Sequence, residues 1–213
     1  MKDSVIIISG IPGSGNTTIA KLLAEKLSLD YFSMGQLFKD IASGRYKEKN
    51  YFDKLLSLCE ERKLTIPSFS SSNDSEGALN LWETDFGRSR EFHEVIDELQ
   101  RNLAERGKIV IDGKLSLFIV KNADFKIWLK SESENRVART STRDSLEKDK
   151  TLEIINKRHE KERAEWKKIY GLDYLEQEKL ADIVIDTTHS SPKEIVEKII
   201  SFLNQKIDAP PWL

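Results

Sequence analysis

The sequence predicts an α/β fold with a parallel sheet covered by helices on both faces. Short β-branched or apolar runs occur at residues 5–9, 109–111, 125–129 and 183–185, with a weaker one at 31–33, and long helical stretches separate them. Strands of a parallel sheet are covered on both faces and so read as continuous apolar runs, whereas half-exposed strands alternate. A glycine-rich turn directly after residues 5–9 supports the same class, because it joins a strand to a helix.

The elements follow in order. After the first strand and its turn, residues 19–27 place Ile19, Leu22, Leu23 and Leu27 at helical spacing. The weaker strand at 31–33 follows, and then an apolar helical stretch in which Cys59 is expected as a buried small hydrophobe. Residues 65–77 are rich in Ser, Asn and Asp, which predicts a segment too polar to pack, either a loop or partly disordered. Phe92, Val95, Ile96, Leu99 and Leu103 form the apolar face of another helix. Residues 146–170 are dense in Glu, Lys and Arg, so a helix there is expected to project from the body. Ser191 and Pro192 stand where an N-cap and first helical proline belong, ahead of a last helix at 192–203. No internal repeat is present.

Composition narrows the function. The 213 residues carry 34 basic and 36 acidic side chains, a net charge of −2, which lacks the excess of positive charge a dedicated nucleic-acid binder needs. The apolar run at 5–8 is far too short to span a bilayer, so no membrane partner is expected. One cysteine cannot form an internal disulfide, and no Cys/His cluster has metal-ligand spacing; a reducing cytoplasm is the expected compartment.

The turn after the first strand reads Gly10, Ile11, Pro12, Gly13, Ser14, Gly15, Asn16, Thr17 and Thr18. This is the P-loop pattern G-x-x-x-x-G-K-[ST] with Asn16 in place of lysine. The glycines let the backbone turn tightly and present successive N–H groups to phosphate oxygens at a helix start, and Thr17 can place its hydroxyl on Mg²⁺. The alternative is a glycine-rich turn without a ligand. A hydrogen bond to a charged partner is worth roughly 1.5–3 kcal/mol, so loss of the lysine costs about ten- to a hundredfold in rate, and more in a dry site. Asn16 is open to three readings: natural degeneration, compensation by another Arg or Lys, or a substitution that traps bound nucleotide. Asp112 ends the 109–111 run, where it can hold Mg²⁺ through water or simply close an Asp-Gly turn.

The P-loop together with residues 19–27 (IAKLLAEKL), 32–39 (FSMGQLFK), 123–129 (ADFKIWL), 168–173 (KIYGLD) and 181–187 (ADIVIDT) resembles the cytidylate kinases, particularly the archaeal type. The resemblance covers most of the chain and is weakest at residues 64–90. It implies one nucleoside monophosphate kinase domain over 1–213, with a five-stranded parallel core, an acceptor-binding lobe at about 34–106 and a helical lid at about 135–175. It further implies transfer of the ATP γ-phosphoryl group to CMP or dCMP with Mg²⁺, impaired by Asn16.

Family lid arginines map onto Arg136, Arg139, Arg143, Arg158 and Arg163, whose planar forks suit phosphate oxygens; each can instead serve a solvated salt-bridge surface. Ser33 matches the family's Ser-x-Gly position near the acceptor base. Lys39 and Lys114 stand where the family has arginines, keeping the charge and losing the bidentate fork. Asp97 resembles an acidic position that reads the cytosine amino group, although an amphipathic helix also accommodates an exposed Asp. His93, His159 and His189 are scattered without partners at diagnostic spacing and are assigned no role. The four tryptophans share no periodicity and form no nucleic-acid stacking platform. Two other functions stay open: a nucleotide-binding regulatory protein that lost efficient transfer, and a P-loop kinase for another nucleotide or a nucleic-acid end. Oligomeric state, monomer or dimer, is left open.

Overall fold

The computed structural model describes residues 3–69, 80–144 and 147–208, and within them the side chains of residues 143, 144, 154, 158 and 208 are not described. The proline-rich tail and residues 70–79 of the Ser-rich stretch therefore lie outside the described residues. All five expected strands form: β1 (Val5–Gly10), β2 (Asp30–Ser33), β3 (Ile109–Asp112), β4 (Phe125–Lys130) and β5 (Ile183–Asp186). They make one parallel sheet in the order β2-β3-β1-β4-β5, with Ile8 opposite Asp112 and Ser9 opposite Trp128. The central β1 is buried along its whole length, which is why its sequence shows no alternation.

Successive side chains of a strand point to opposite faces, and here they feed two separate cores. Ile6 and Ile8 join Ile127, Leu129 and Ile185 beneath α1 (Asn16–Leu27) and α9 (Pro192–Asp208). Ile7 and Ile111 join Phe32 and Trp128 on the other face, against α2 (Met34–Ala42), α3 (Phe52–Glu61), the short α4 (Asp85–Arg88), α5 (Arg90–Glu105) and α6 (Ser116–Ile119). Cys59 is buried in that second core as expected. At the start of α9 the Ser191 hydroxyl accepts from Glu194 N–H while the Glu194 carboxylate accepts from Ser191 N–H, the reciprocal capping pair that fixes the helix start.

Two expectations are corrected. Residues 65–69 carry no regular structure, but they are not too polar to pack: Ile66 and Phe69 lean on the core, and the Phe69 ring lies 6.3 Å from that of Phe86. The charged helix does not simply project. After α7 (Ser133–Asp144), helix α8 (Lys148–Tyr170) buries Thr151, Ile155, Glu162 and Trp166, spaced so that they share one stripe, and Trp166 enters the main core beside Tyr174. A single stripe of four residues in 23 is too sparse to raise the apolar periodicity above the surrounding charges.

Candidate functional site

The phosphate loop sits at the carboxyl edge of the sheet between β1 and α1. Gly13 and Gly15 adopt φ of +87° and +92°, a region that costs L side chains energy, and Gly15 starts α1 with no side-chain cap. The first N–H groups of the helix are thus left for an external acceptor. Close packing adds a second constraint at Gly13, where a Cβ would stand 2.9 Å from Cβ of Arg136.

Polar bonds hold the loop from several sides. Asn16 turns inward: its Nδ2 donates to the Gly10 carbonyl at 3.2 Å, bracing the loop across its own base. Thr187, just past β5, donates through Oγ1 to the Ser14 carbonyl at 3.0 Å, and Arg139 Nη1 donates to the same Thr187 oxygen at 3.0 Å. Arg136 Nη1 donates to the Pro12 carbonyl at 3.3 Å. Ile11 N–H reaches the Leu129 carbonyl at 3.2 Å, and Thr18 faces solvent on the first turn of α1.

Asp112 is the polar centre beside the loop. Only 7% exposed, its Oδ2 accepts from Thr17 Oγ1 at 2.7 Å, from Ser33 Oγ at 3.2 Å and from Tyr31 OH at 3.4 Å. Burial raises its carboxyl pKa, and the three hydroxyl donors oppose the rise. Parallel pairing explains the meeting: Ser33 is opposite Asp112 in the β2–β3 register, and Ile8 opposite Asp112 brings the end of β1 alongside. Ser33 also caps α2 by accepting from Gln36 N–H at 3.3 Å.

The remaining candidates are more dispersed. Lys114, two residues past β3, pairs with Glu162 of α8 and lies 5.6 Å from the Trp166 ring centroid. Lys39 is half-buried on α2 and makes no ion pair among the described residues. Arg163 pairs with Asp173 through Nε and Nη2, at the base of the α7–α8 hairpin. Arg143 and Arg158 lie on α7 and α8, with side chains outside the description.

The picture of Asp97 as an exposed helix carboxylate fails: it is 5% exposed and accepts from Tyr170 OH at 2.8 Å. Burial pushes its pKa up to about 7. The Gln100 amide lies 3.4 Å from its other oxygen and accepts at 2.7 Å from Ser116, which links Asp97 to the turn after β3. Asp97, His93 and Tyr170 also line a groove of about 570 Å³ between α5, the end of α6 and the end of α8, to which the phosphate loop contributes nothing. Sequence reasoning missed Tyr31, Thr187 and Tyr170. Thr187 and Tyr170 lie inside the quoted segments 181–187 and 168–173, but nothing in their spacing announces a contact with the loop or with Asp97.

A glycine cradle at a strand-to-helix turn, a buried carboxylate ending the adjacent strand and a five-stranded parallel sheet in this order define a P-loop kinase fold. Solved structures agree: the chain superposes on shikimate kinase from Acinetobacter baumannii in complex with shikimate (TM-score 0.53, 17% identity, 97% of this chain and 96% of that one) and on TT1252 from Thermus thermophilus (TM-score 0.55, 20% identity, 98% and 100%). Residues 5–189 match the model of the cytidylate kinase-like family, and the chain belongs to that family. Cytidylate kinases from Methanocaldococcus jannaschii (30% identity over 208 residues, 96% of this chain and 97% of that one) and Sulfurisphaera tokodaii (31% over 202 residues, 94% and 95%) are similar along nearly their whole length. Among the described residues no helix is long and apolar enough to cross a membrane.

Proposed function

We propose that the chain is a Mg²⁺-dependent kinase that transfers the γ-phosphoryl group of ATP to CMP or dCMP, slowed by Asn16. The observation that carries this reading is the Thr17–Asp112 hydrogen bond of 2.7 Å beside an uncapped, glycine-lined helix start. Thr17 and Asp112 suit Mg²⁺: one hydroxyl and one carboxylate leave most coordination positions to phosphate oxygens and water, as this cation prefers. No cluster of three His, Cys, Asp or Glu competes as a metal site among the described residues. Bound there, Mg²⁺ supplies charge neutralisation at the phosphates.

In this reading the N–H groups of residues 13–18 hold the donor phosphates, and Gly10, Ile11 and Pro12 set the turn. Lys39 and Lys114 hold the acceptor phosphate while Ser33 and Asp97 face its base. An acceptor phosphate oxygen attacks the γ-phosphorus, the bond to the ADP oxygen breaks, and the electron pair leaves with ADP. Arg139, Arg143, Arg158 and Arg163 neutralise the spreading charge, Arg163 only once its pair with Asp173 opens. Residues 135–175 act as the lid and 34–106 as the acceptor lobe. The Asn16 amide is committed to the Gly10 carbonyl, so it brings neither charge nor reach to the transferring group.

That inward amide also favours a second reading, a nucleotide-binding regulatory protein with little transfer. ADP production with ATP, Mg²⁺ and a panel of CMP, dCMP, UMP, AMP, GMP and an oligonucleotide separates the possibilities. Fastest turnover with CMP or dCMP is expected. Faster phosphorylation of AMP or the oligonucleotide would reject the acceptor, and tight ATP binding with at most one turnover would select the regulatory reading.

A further inference from the structure

Three buried polar atoms on the α7–α8 hairpin and the turn after it have no hydrogen-bond partner among the described residues: Arg136 Nε, His159 Nε2 and Tyr174 OH. Tyr174 is fully buried. Its ring meets His159 edge-on at 5.4 Å and Trp166 at 5.2 Å, and the Arg136 charge acts on both Tyr174 and His159. Arg136 ties the group to the donor side through its 3.3 Å bond to the Pro12 carbonyl. Lys114 ties it to the acceptor side, since its ammonium stands over Trp166 and its charge also acts on His159. A buried polar group without a partner is costly, so these three together call for an acceptor that they can share.

We propose that Arg136, His159 and Tyr174 hold the oxygens of the phosphoryl group in transit, supplying from the hairpin side the contacts that the P-loop lysine would have made. The inference rests on the kinase reading above and deepens it. Arg136 brings fixed positive charge, Tyr174 an O–H donor, and His159 an imidazole that burial and the Arg136 and Lys114 charges hold neutral until an anion arrives. Glu162 is the acidic neighbour, and its carboxylate is engaged by Lys114. The ligand class is therefore a terminal phosphoryl group held between the loop and the Lys114 turn.

The test compares two nucleotides that differ by that group: ADP and the non-hydrolysable triphosphate AMP-PNP, titrated with Mg²⁺ by calorimetry against the unmodified chain, Tyr174→Phe and His159→Gln. Each substitution is expected to weaken AMP-PNP binding about tenfold, or 1.4 kcal/mol, and to leave ADP within about twofold. In an Asn16→Lys background the loss is expected to shrink to less than about threefold, because the restored cation meets the same oxygens. Tyr174→Phe removes a hydroxyl without a partner, so its melting temperature should not fall. Equal weakening for both nucleotides, or none for either, overturns the proposal while the kinase reading stands. Failure of the unmodified chain to bind either nucleotide overturns both.

Discussion

The phosphate loop and the α7–α8 hairpin divide the polar chemistry of this molecule unequally. Around the loop every donor named is an uncharged hydroxyl or amide: Thr17, Ser33 and Tyr31 on Asp112, Asn16 on Gly10, Thr187 on Ser14. On the hairpin side the contacts are ionic, with Lys114 on Glu162 and Arg163 on Asp173, and α7 supplies Arg136, which reaches the loop at Pro12, and Arg139, which reaches Thr187. With Asn16 at the lysine position, the loop itself carries no positive side chain, and the nearest arginines belong to a separate element. On the proposed kinase reading, affinity for phosphate and stabilisation of a moving phosphoryl group fall to different parts of the chain.

Substitutions can break this division or sharpen it. The largest effect is expected from Asp112→Asn, which keeps the shape of the loop side and removes its one buried charge. Steady-state ADP production should fall about a thousandfold, or 4.1 kcal/mol, while the melting temperature holds or rises because the burial cost of the carboxylate is relieved.

The hairpin side carries its own titrating pair where Tyr170 meets α5. Burial holds the His93 imidazole down at about 4, so stability from this group rises with pH between about 4 and 6.5, where only the unfolded chain takes the proton. Asp97, raised to about 7 by burial, does the reverse: the folded chain keeps the proton, and stability falls as pH climbs from about 4 to 7. The opposing slopes, each about 1.4 kcal/mol per pH unit, nearly cancel from pH 4 to 6.5. In urea titrations across that window, Asp97→Asn should unmask a rise in stability with pH and His93→Gln a fall.

Asn16→Lys comes next. A gain of about a hundredfold in CMP-dependent ADP production, roughly 2.7 kcal/mol, is expected if the rest of the site is competent. An unchanged rate would place the limitation on the acceptor side. Lys114→Arg, which restores a bidentate fork, should lower the KM for CMP about tenfold with little change in kcat. Asp173→Asn should do least: it releases Arg163 from an exposed pair, so the melting temperature should not change measurably and kcat should shift by no more than about threefold.

Most of the fold was legible because its signals are local. Each strand is a short apolar run, and each run became a strand within a residue or so. The loop was legible for the same reason, since Gly10, Gly13 and Gly15 act through backbone geometry written in one short segment. What escaped depends on contacts between distant segments. Asp97 looks like any polar residue on an amphipathic helix until Tyr170, 73 positions away, closes over it. Thr187 is unremarkable until β5 lies beside β4 and carries it to Ser14. Helix α8 concealed its docking stripe because Glu162 and Thr151 are polar residues buried on that face.

That stripe has a mechanical consequence. Helix α8 enters the main core at Trp166, and its first residue lies about 27 Å away at 1.5 Å per residue. Glu162 is only about 6 Å from Trp166. Were the helix to tilt as a rigid rod about Trp166, a displacement of 1 Å at the Lys114–Glu162 contact would correspond to about 4.5 Å at the far end. A tilt of about 10° sweeps that end through roughly 5 Å, close to one helical turn. In that geometry a small shift at the Lys114–Glu162 contact is magnified along the length of the helix.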